Sequence, residues 1–251
     1  MIDRNEVLDY IRQSNFVSTQ LLCEHFQDSE STIRRVLEKL EENCQITRIH
    51  GGAMSVADFG QMTDFQMRNR SNKAQKVAIA KKATSLIKKH DTIILMGGTT
   101  VCEMCPFIEH MNVTVVTNSI LVLNSLRYST TIQLIILGGL YNYREEESSG
   151  LIYNTGLERL KADFMFMGAA GFDERFGFTI TNASADIYEH CMSCSKEVSV
   201  LADSSKYRSM QGGATITATP EQVHYLFTDP ALDPGAKTAL ESMGIQIVLS
   251  E

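Results

Sequence analysis

The sequence predicts an α/β chain in two parts: a small N-terminal domain of short helices with a β wing, and a larger, mostly parallel α/β domain. Three observations predict it. Residues 3 to 54 show helical apolar spacing three times over, then a short β pattern around Gly51-Gly52. From Lys73 onward, aliphatic runs such as VTVVT (113 to 117) and IQLIIL (132 to 137) alternate with helical stretches, the pattern of strands buried on both faces. Several of these runs end in glycine or hydroxyl motifs, most clearly GGTT at 97 to 100.

The N-terminal elements follow in order. Val7, Leu8 and Ile11 share one face of a helix over 3 to 14, and Ser18 is an N-cap for STQLLCEHF, with Leu21, Leu22 and Phe26 apolar. Ser29 caps a third helix whose buried stripe is Ile33, Val36, Leu37 and Leu40. Its opposite face carries Ser31, Thr32, Arg34, Arg35 and Lys39, and Asn43 is placed to end it in a left-handed conformation. Ile46 to Met54 reads as strand, Gly-Gly turn and strand. Three helices and this wing make a winged helix-turn-helix, assigned to residues 1–56.

In that motif the third helix enters the major groove of double-stranded DNA, and the wing grips the backbone. Ser29, Ser31, Thr32, Arg34 and Arg35 are therefore the candidate DNA contacts, with Arg48 and His50 on the wing. The plainer reading of Arg34 and Arg35 is a pair of solvated helix charges. Within residues 1 to 50, Asp and Glu outnumber Arg and Lys. Phosphate neutralisation supplies most DNA affinity, so binding per protomer is expected to be weak and a homo-oligomer, dimer or tetramer, is required.

Composition sets outer limits. The chain has 251 residues and a formal charge of −7, with a pI near 5.4. That balance excludes a protein that coats nucleic acid by bulk electrostatics, but leaves room for a small basic reading surface. No apolar run approaches the length of a membrane span, and MIDRNEVLDY has acids where a signal peptide needs basic and then apolar residues. The expectation is a cytoplasmic protein without membrane contact. Cys23, Cys44, Cys102, Cys105, Cys191 and Cys194 are spread through the chain. Two C-x-x-C pairs fall in predicted helices, where cysteine serves as a small buried apolar residue, so neither a metal nor a cofactor is expected.

Residues 57–72 are polar and mixed and read as a linker, and 73–251 as the α/β domain. A helix over 73 to 89 turns Val77, Ile79, Ala80, Ala83 and Leu86 inward. Strand 92 to 96, helix 100 to 110, strand 113 to 117, helix 119 to 127 and strand 132 to 137 follow. A helix near 154 to 160, strand 163 to 168, helix 184 to 195, and strand 197 to 202 come next; a strand near 224 to 228, helix 234 to 243 and strand 245 to 249 complete it.

Open sheets of this kind bind ligands at the carboxyl ends of their strands. The strand-to-helix junction at GGTT suits an anion, because glycines let backbone N–H groups approach and hydroxyls add donors. An ordinary tight turn is the alternative. Neither a Walker A pattern nor G-x-G-x-x-G is present, so a nucleotide triphosphate or dinucleotide is not implied. Gly97, Gly98, Thr99, Thr100 and Gly139 are candidate pocket backbone and hydroxyls; Asn118, Ser119 and Asp173 are candidates for sugar hydroxyls, and Lys206 for a phosphate. Loops at 140 to 150 and 171 to 183 either close over a ligand or are exposed connections.

STIRRVLEKLEE followed by ITRIHGGA, then GGTTV, VVTNS, ILGG, GAAGFD with GFT, and LADSSKY, in this order, resembles the DeoR family of bacterial transcription regulators. The resemblance covers essentially the whole chain. It implies a winged helix-turn-helix on operator DNA and a sensor domain similar in fold to ribose-5-phosphate isomerase. It also implies a phosphorylated sugar as effector and control, often repression, of a carbohydrate catabolic operon. By position it supports Thr32, Arg34 and Arg35 for DNA, and Gly98, Thr99, Thr100, Asn118, Gly139, Asp173 and Lys206 for the effector. The chain departs from the family pattern at Val36, Asn43, Met96-Gly97 and TNASADIYEHCM. A sugar-phosphate isomerase with an added N-terminal domain is the competing class, with Asp173 or Asp186 as its base.

Overall fold

The computed structural model describes residues 3–14, 16–43, 45–49, 51–55, 65, 68–69, 71–149, 159–181, 185–209 and 214–250. The chain divides into two compact units, Met1–Met67 and Arg68–Glu251.

In the first unit, α1 (Arg4–Ser14) buries Val7, Leu8 and Ile11, and α3 (Glu30–Glu42) buries Ile33, Val36, Leu37 and Leu40. α2 (Thr19–Phe26) buries Leu22 and leaves Leu21 exposed. The wing is three-stranded, β1 (Phe16–Ser18), β3 (Gly52–Ser55) and β2 (Ile46–Ile49) in that spatial order, antiparallel throughout. Residues 16–18, lying between the first two helices, thus form an edge strand. Ser18 ends that strand and caps α2 by accepting from the Leu21 N–H at 3.1 Å. The left-handed residue is Gln27 (φ 50), after α2. Asn43, expected in that role, has φ −87, and its Nδ2 instead donates to the Lys39 carbonyl at 2.8 Å.

The second unit is built on seven parallel strands: β4 (Thr92–Leu95), β5 (Thr114–Thr117), β6 (Gln133–Ile136), β9 (Ala162–Gly168), β12 (Ser195–Leu201), β14 (Tyr225–Thr228) and β15 (Gln246–Leu249). Their spatial order is β15-β14-β12-β9-β4-β5-β6. The sheet grows outward in one direction from β4 and in the other from β9, so the boundary between those two strands is the topological switch point, where such folds open a crevice. Alternate residues serve opposite faces: Ile93 and Leu95 join one apolar cluster with Phe166, Leu201 and Phe227, while Ile94 joins the other with Met165, Met167 and Val200.

Helices α4 (Lys73–Ala83), α5 (Thr99–Cys102), α6 (Cys105–Ile108), α7 (Ile120–Leu126), α8 (Ala185–Ser193) and α9 (Pro234–Ser242) connect the strands. Two expected helices are shorter than their patterns. The one placed over 73 to 89 ends at Ala83 and tightens into a 3-10 turn at Thr84–Leu86; the one over 100 to 110 is split at Glu103-Met104, just ahead of Pro106. Cys105 and Cys191 are buried in the core, and burial pushes both thiols up to about 12. The helix expected near 154 to 160 falls largely outside the described residues. No helix among the described residues is long and apolar enough to cross a membrane.

The two stretches read as loops carry pairing of their own. β7 (Leu140–Asn142) and β8 (Glu147–Ser149) form a hairpin. β10 (Gly171–Asp173), β11 (Gly177–Thr181) and β13 (Ala214–Ala218) form an antiparallel sheet. Gly177 turns the chain with φ +79, and a β-carbon there would stand 2.4 Å from the Ala218 carbonyl oxygen. Gly177→Ala is expected to destabilise the protein by about 1–3 kcal/mol, from backbone strain plus that overlap. Chemical denaturation checks it, and an unchanged midpoint would refute the turn geometry.

Candidate functional site

On the first unit, Ser29, Ser31 and Thr32 form a hydroxyl cluster at the start of α3. Ser29 Oγ lies 3.0 Å from Ser31 Oγ and 2.9 Å from Thr32 Oγ1, and accepts from the Thr32 N–H at 3.3 Å. Arg34 is exposed but engaged: Glu30, one turn earlier, accepts from it at 2.5 Å. Arg48 meets Glu38 at 3.6 Å, and its backbone N–H donates to Glu41 at 3.1 Å. Arg35 is exposed and makes no ion pair among the described residues. Of the candidate arginines it is the one whose charge is uncommitted. His50 lies outside the described residues.

On the second unit, a cleft opens at the switch point, walled by the chain following β4, β9 and β12. It brings together Gly97, Gly98, Thr99, Thr100 and Lys206. The helix following the GGTT loop is only four residues long, so its dipole contributes little; loop hydroxyls and lysines supply the positive character instead.

The other four candidates stand beside the cleft and hold structure. Asn118 Oδ1 accepts from the Gly97 N–H at 2.9 Å and its Nδ2 donates to the Ser148 carbonyl at 3.1 Å, tying the GGTT loop to the β7–β8 hairpin. Ser119 caps α7 by accepting from the Val122 N–H at 3.3 Å. Gly139 leads into β7 and lies against Ser149. Asp173 accepts from the N–H groups of Arg175 and Phe176 at 2.9 and 2.5 Å, which shapes the β10–β11 turn.

Sequence reasoning missed every charged residue of the wall but Lys206: Arg68, Lys76, Glu145, Glu147 and Asp203. Lys76 is 2% exposed. Burial, reinforced by Lys206 and Arg68 and opposed by Asp203, lowers it to about 8. Burial also lowers Lys206. A signal for Lys76 existed, because 76, 79, 80 and 83 are the i, i+3, i+4, i+7 positions of the inward stripe, whereas Val77, expected inward, is half-buried. The hairpin glutamates sit in REEESS, whose composition reads as an exposed loop.

Glu147 lies against the GGTT loop, so close that a β-carbon on Gly97 would stand 1.9 Å from its Oε2. Only glycine leaves that space. Burial first, then neighbouring Glu145, raise the Glu147 carboxyl from its ordinary 4.5 to about 7. A carboxyl that holds its proton more tightly folded than unfolded contributes stability at low pH and loses it as pH rises through the folded value. Thermal stability should therefore fall between about pH 4.5 and 7, and Glu147→Gln should remove that part of the slope, a difference of about 3 kcal/mol at pH 8. Parallel melting curves for the two proteins would show the idea wrong.

A helix-turn-helix unit on one chain with an α/β unit that opens a charged pocket at its switch point is the organisation of a ligand-responsive transcription regulator. Residues 4–58 match the DeoR-like helix-turn-helix domain and residues 71–230 the DeoR C terminal sensor domain. The chain belongs to the DeoR family. It is 29% identical to an uncharacterized HTH-type transcriptional regulator of Bacillus subtilis (strain 168), over 97% of this chain and 94% of that one. It is 32% identical to the lactose phosphotransferase system repressor of Staphylococcus epidermidis, over 80% and 82%. Ribose 5-phosphate isomerase A from Methanocaldococcus jannaschii is a distant structural neighbour, at 19% identity and TM-score 0.41, with 57% of each chain covered. The relatives carry regulator names, and the protein is a transcriptional regulator rather than an isomerase.

Proposed function

We propose that the protein represses a carbohydrate catabolic operon by binding double-stranded operator DNA as a dimer or tetramer, and that a phosphorylated sugar in the switch-point cleft releases it. One observation carries the effector half. Lys76 and Lys206 face the GGTT loop, and neither makes an ion pair among the described residues. A buried and a half-buried cation, near the Asp203 charge but in ion-pair contact with no carboxylate among the described residues, are a seat for an anion, and a phosphomonoester brings close to two negative charges. The lactose phosphotransferase system repressor among the relatives agrees with a carbohydrate role.

The DNA half uses the start of α3, with the Ser29, Ser31 and Thr32 hydroxyls near phosphate and Arg35 directed to a base edge or phosphate. The effector acts by preferring one arrangement of the oligomer, which changes operator affinity. A coupling of about 1–3 kcal/mol changes that affinity roughly 5- to 150-fold, and operator must weaken effector binding by the same factor. Fluorescence anisotropy on intergenic DNA beside the gene, at fixed salt and with a panel of sugar phosphates, tests both halves. Specific binding shifted by one sugar phosphate is expected. Effector affinity indifferent to saturating operator would sink the linkage.

A further inference from the structure

The cleft is lined by three cations, Arg68, Lys76 and Lys206, and by three carboxylates, Glu145, Glu147 and Asp203. Two of its carboxylates are already committed. Glu145 takes Arg68 through two hydrogen bonds, one of them 3.2 Å long. Asp203 accepts from Asn72 Nδ2 at 3.0 Å, from the Ser205 N–H at 3.2 Å and from the Ser205 hydroxyl. Lys76, Lys206 and Glu147 make no ion pair among the described residues, although the Asp203 charge acts on both lysines.

These three are not one another's partners. Neither lysine forms an ion pair or hydrogen bond with Glu147 among the described residues. Glu147 makes no ion pair among the described residues, and its carboxylate is held by the Asn118 amide, with Nδ2 3.4 Å from Oε2. It is 7% exposed. Buried Tyr188 and Ile180 line the same cleft and supply little that could solvate a charge.

On the reading that the cleft is the effector site, we propose that the effector is a phosphate ester that also carries a primary ammonium, of the class of phosphorylated amino sugars. Its phosphate sits at Lys76 and Lys206 and its ammonium at the Glu147 carboxylate. A phosphate dianion meets the two lysines and leaves Glu147 without a cation in contact. A sugar hydroxyl donates a hydrogen bond to that carboxylate but does not balance it; an ammonium does both. Gly97 and Glu147 act as a matched pair, since the carboxylate reaches this end of the cleft only because residue 97 has no side chain.

The test is isothermal titration of the full-length protein with matched pairs: D-glucosamine 6-phosphate against D-glucose 6-phosphate, and D-galactosamine 6-phosphate against D-galactose 6-phosphate. The N-acetyl derivatives serve as uncharged controls. At least one amino ester is expected to bind tenfold or more tighter than its hydroxyl counterpart, and N-acetylation is expected to erase the gain. Glu147→Gln should remove the preference, so that the amino and hydroxyl esters bind alike. Between pH 6 and 7.5 the amino ester should gain affinity more steeply than the hydroxyl ester, because Glu147 must be ionised to receive the ammonium. Hydroxyl esters binding as tightly as amino esters would overturn the proposal and leave the sugar-phosphate reading standing. Failure of every phosphate ester to bind would remove both. Should the Glu147 variant not fold, the matched pairs on the unaltered protein decide the matter.

Discussion

Replacing Arg35 with alanine is expected to weaken operator binding by about 1–3 kcal/mol, roughly 5- to 150-fold, with little change in thermal stability. The side chain is exposed on α3 and makes no ion pair among the described residues, so nothing in the fold depends on its charge. Arg34→Ala should cost less, because Arg34 must first leave Glu30, and Glu30→Gln should strengthen binding by releasing it. An exposed pair of this kind is worth at most about 1 kcal/mol, which bounds that gain. Titrations at several salt concentrations separate the two roles Arg35 can play. A base contact relaxes specificity at one position, whereas a phosphate contact lowers affinity evenly and reduces the salt slope by about one. Unchanged affinity would remove Arg35 from the interface.

The second large effect is expected from Lys76→Met combined with Lys206→Met. A hydrogen bond to a charged group contributes about 1.5–3 kcal/mol, so losing both lysines should cost about 100-fold or more in effector affinity. Operator binding without effector should persist, giving a regulator that no longer responds. Methionine suits position 76 because it fills much of the same buried volume. It also removes the desolvation that lowers Lys76 to about 8. The hydrogen bond from Lys76 Nζ to the Arg68 carbonyl is lost in exchange. A double variant that still responds to the effector would move the binding site elsewhere.

The architecture was legible because it rests on periodicity. α3 carries its apolar residues at Ile33, Val36, Leu37 and Leu40, and β4 buries successive residues on opposite faces; both patterns survive in a bare sequence. What was not legible rests on long-range pairing. β1 is three residues long and exists through its register with β3, Phe16 opposite Met54. The β7–β8 hairpin is polar enough to read as a solvated loop, yet Glu145 and Glu147 are buried by it. The candidate cleft divides in the same way. Its glycine and threonine loop announces itself by composition, while Arg68 and Lys76, Glu147, and Asp203 come from three separate stretches whose convergence only the fold creates.

The chain just past the boundary at Met67 is itself a wall of the cleft. Arg68 is clamped by Glu145, Asn72 is fastened to Asp203 and Ser205, and Lys76 reaches back to the carbonyl of Arg68. A ligand that recruits the Lys76 ammonium therefore competes with the anchoring of the very segment that leads back to the reading domain. On the proposed effector reading, occupancy is felt first at this segment, where the chain enters the sensor unit.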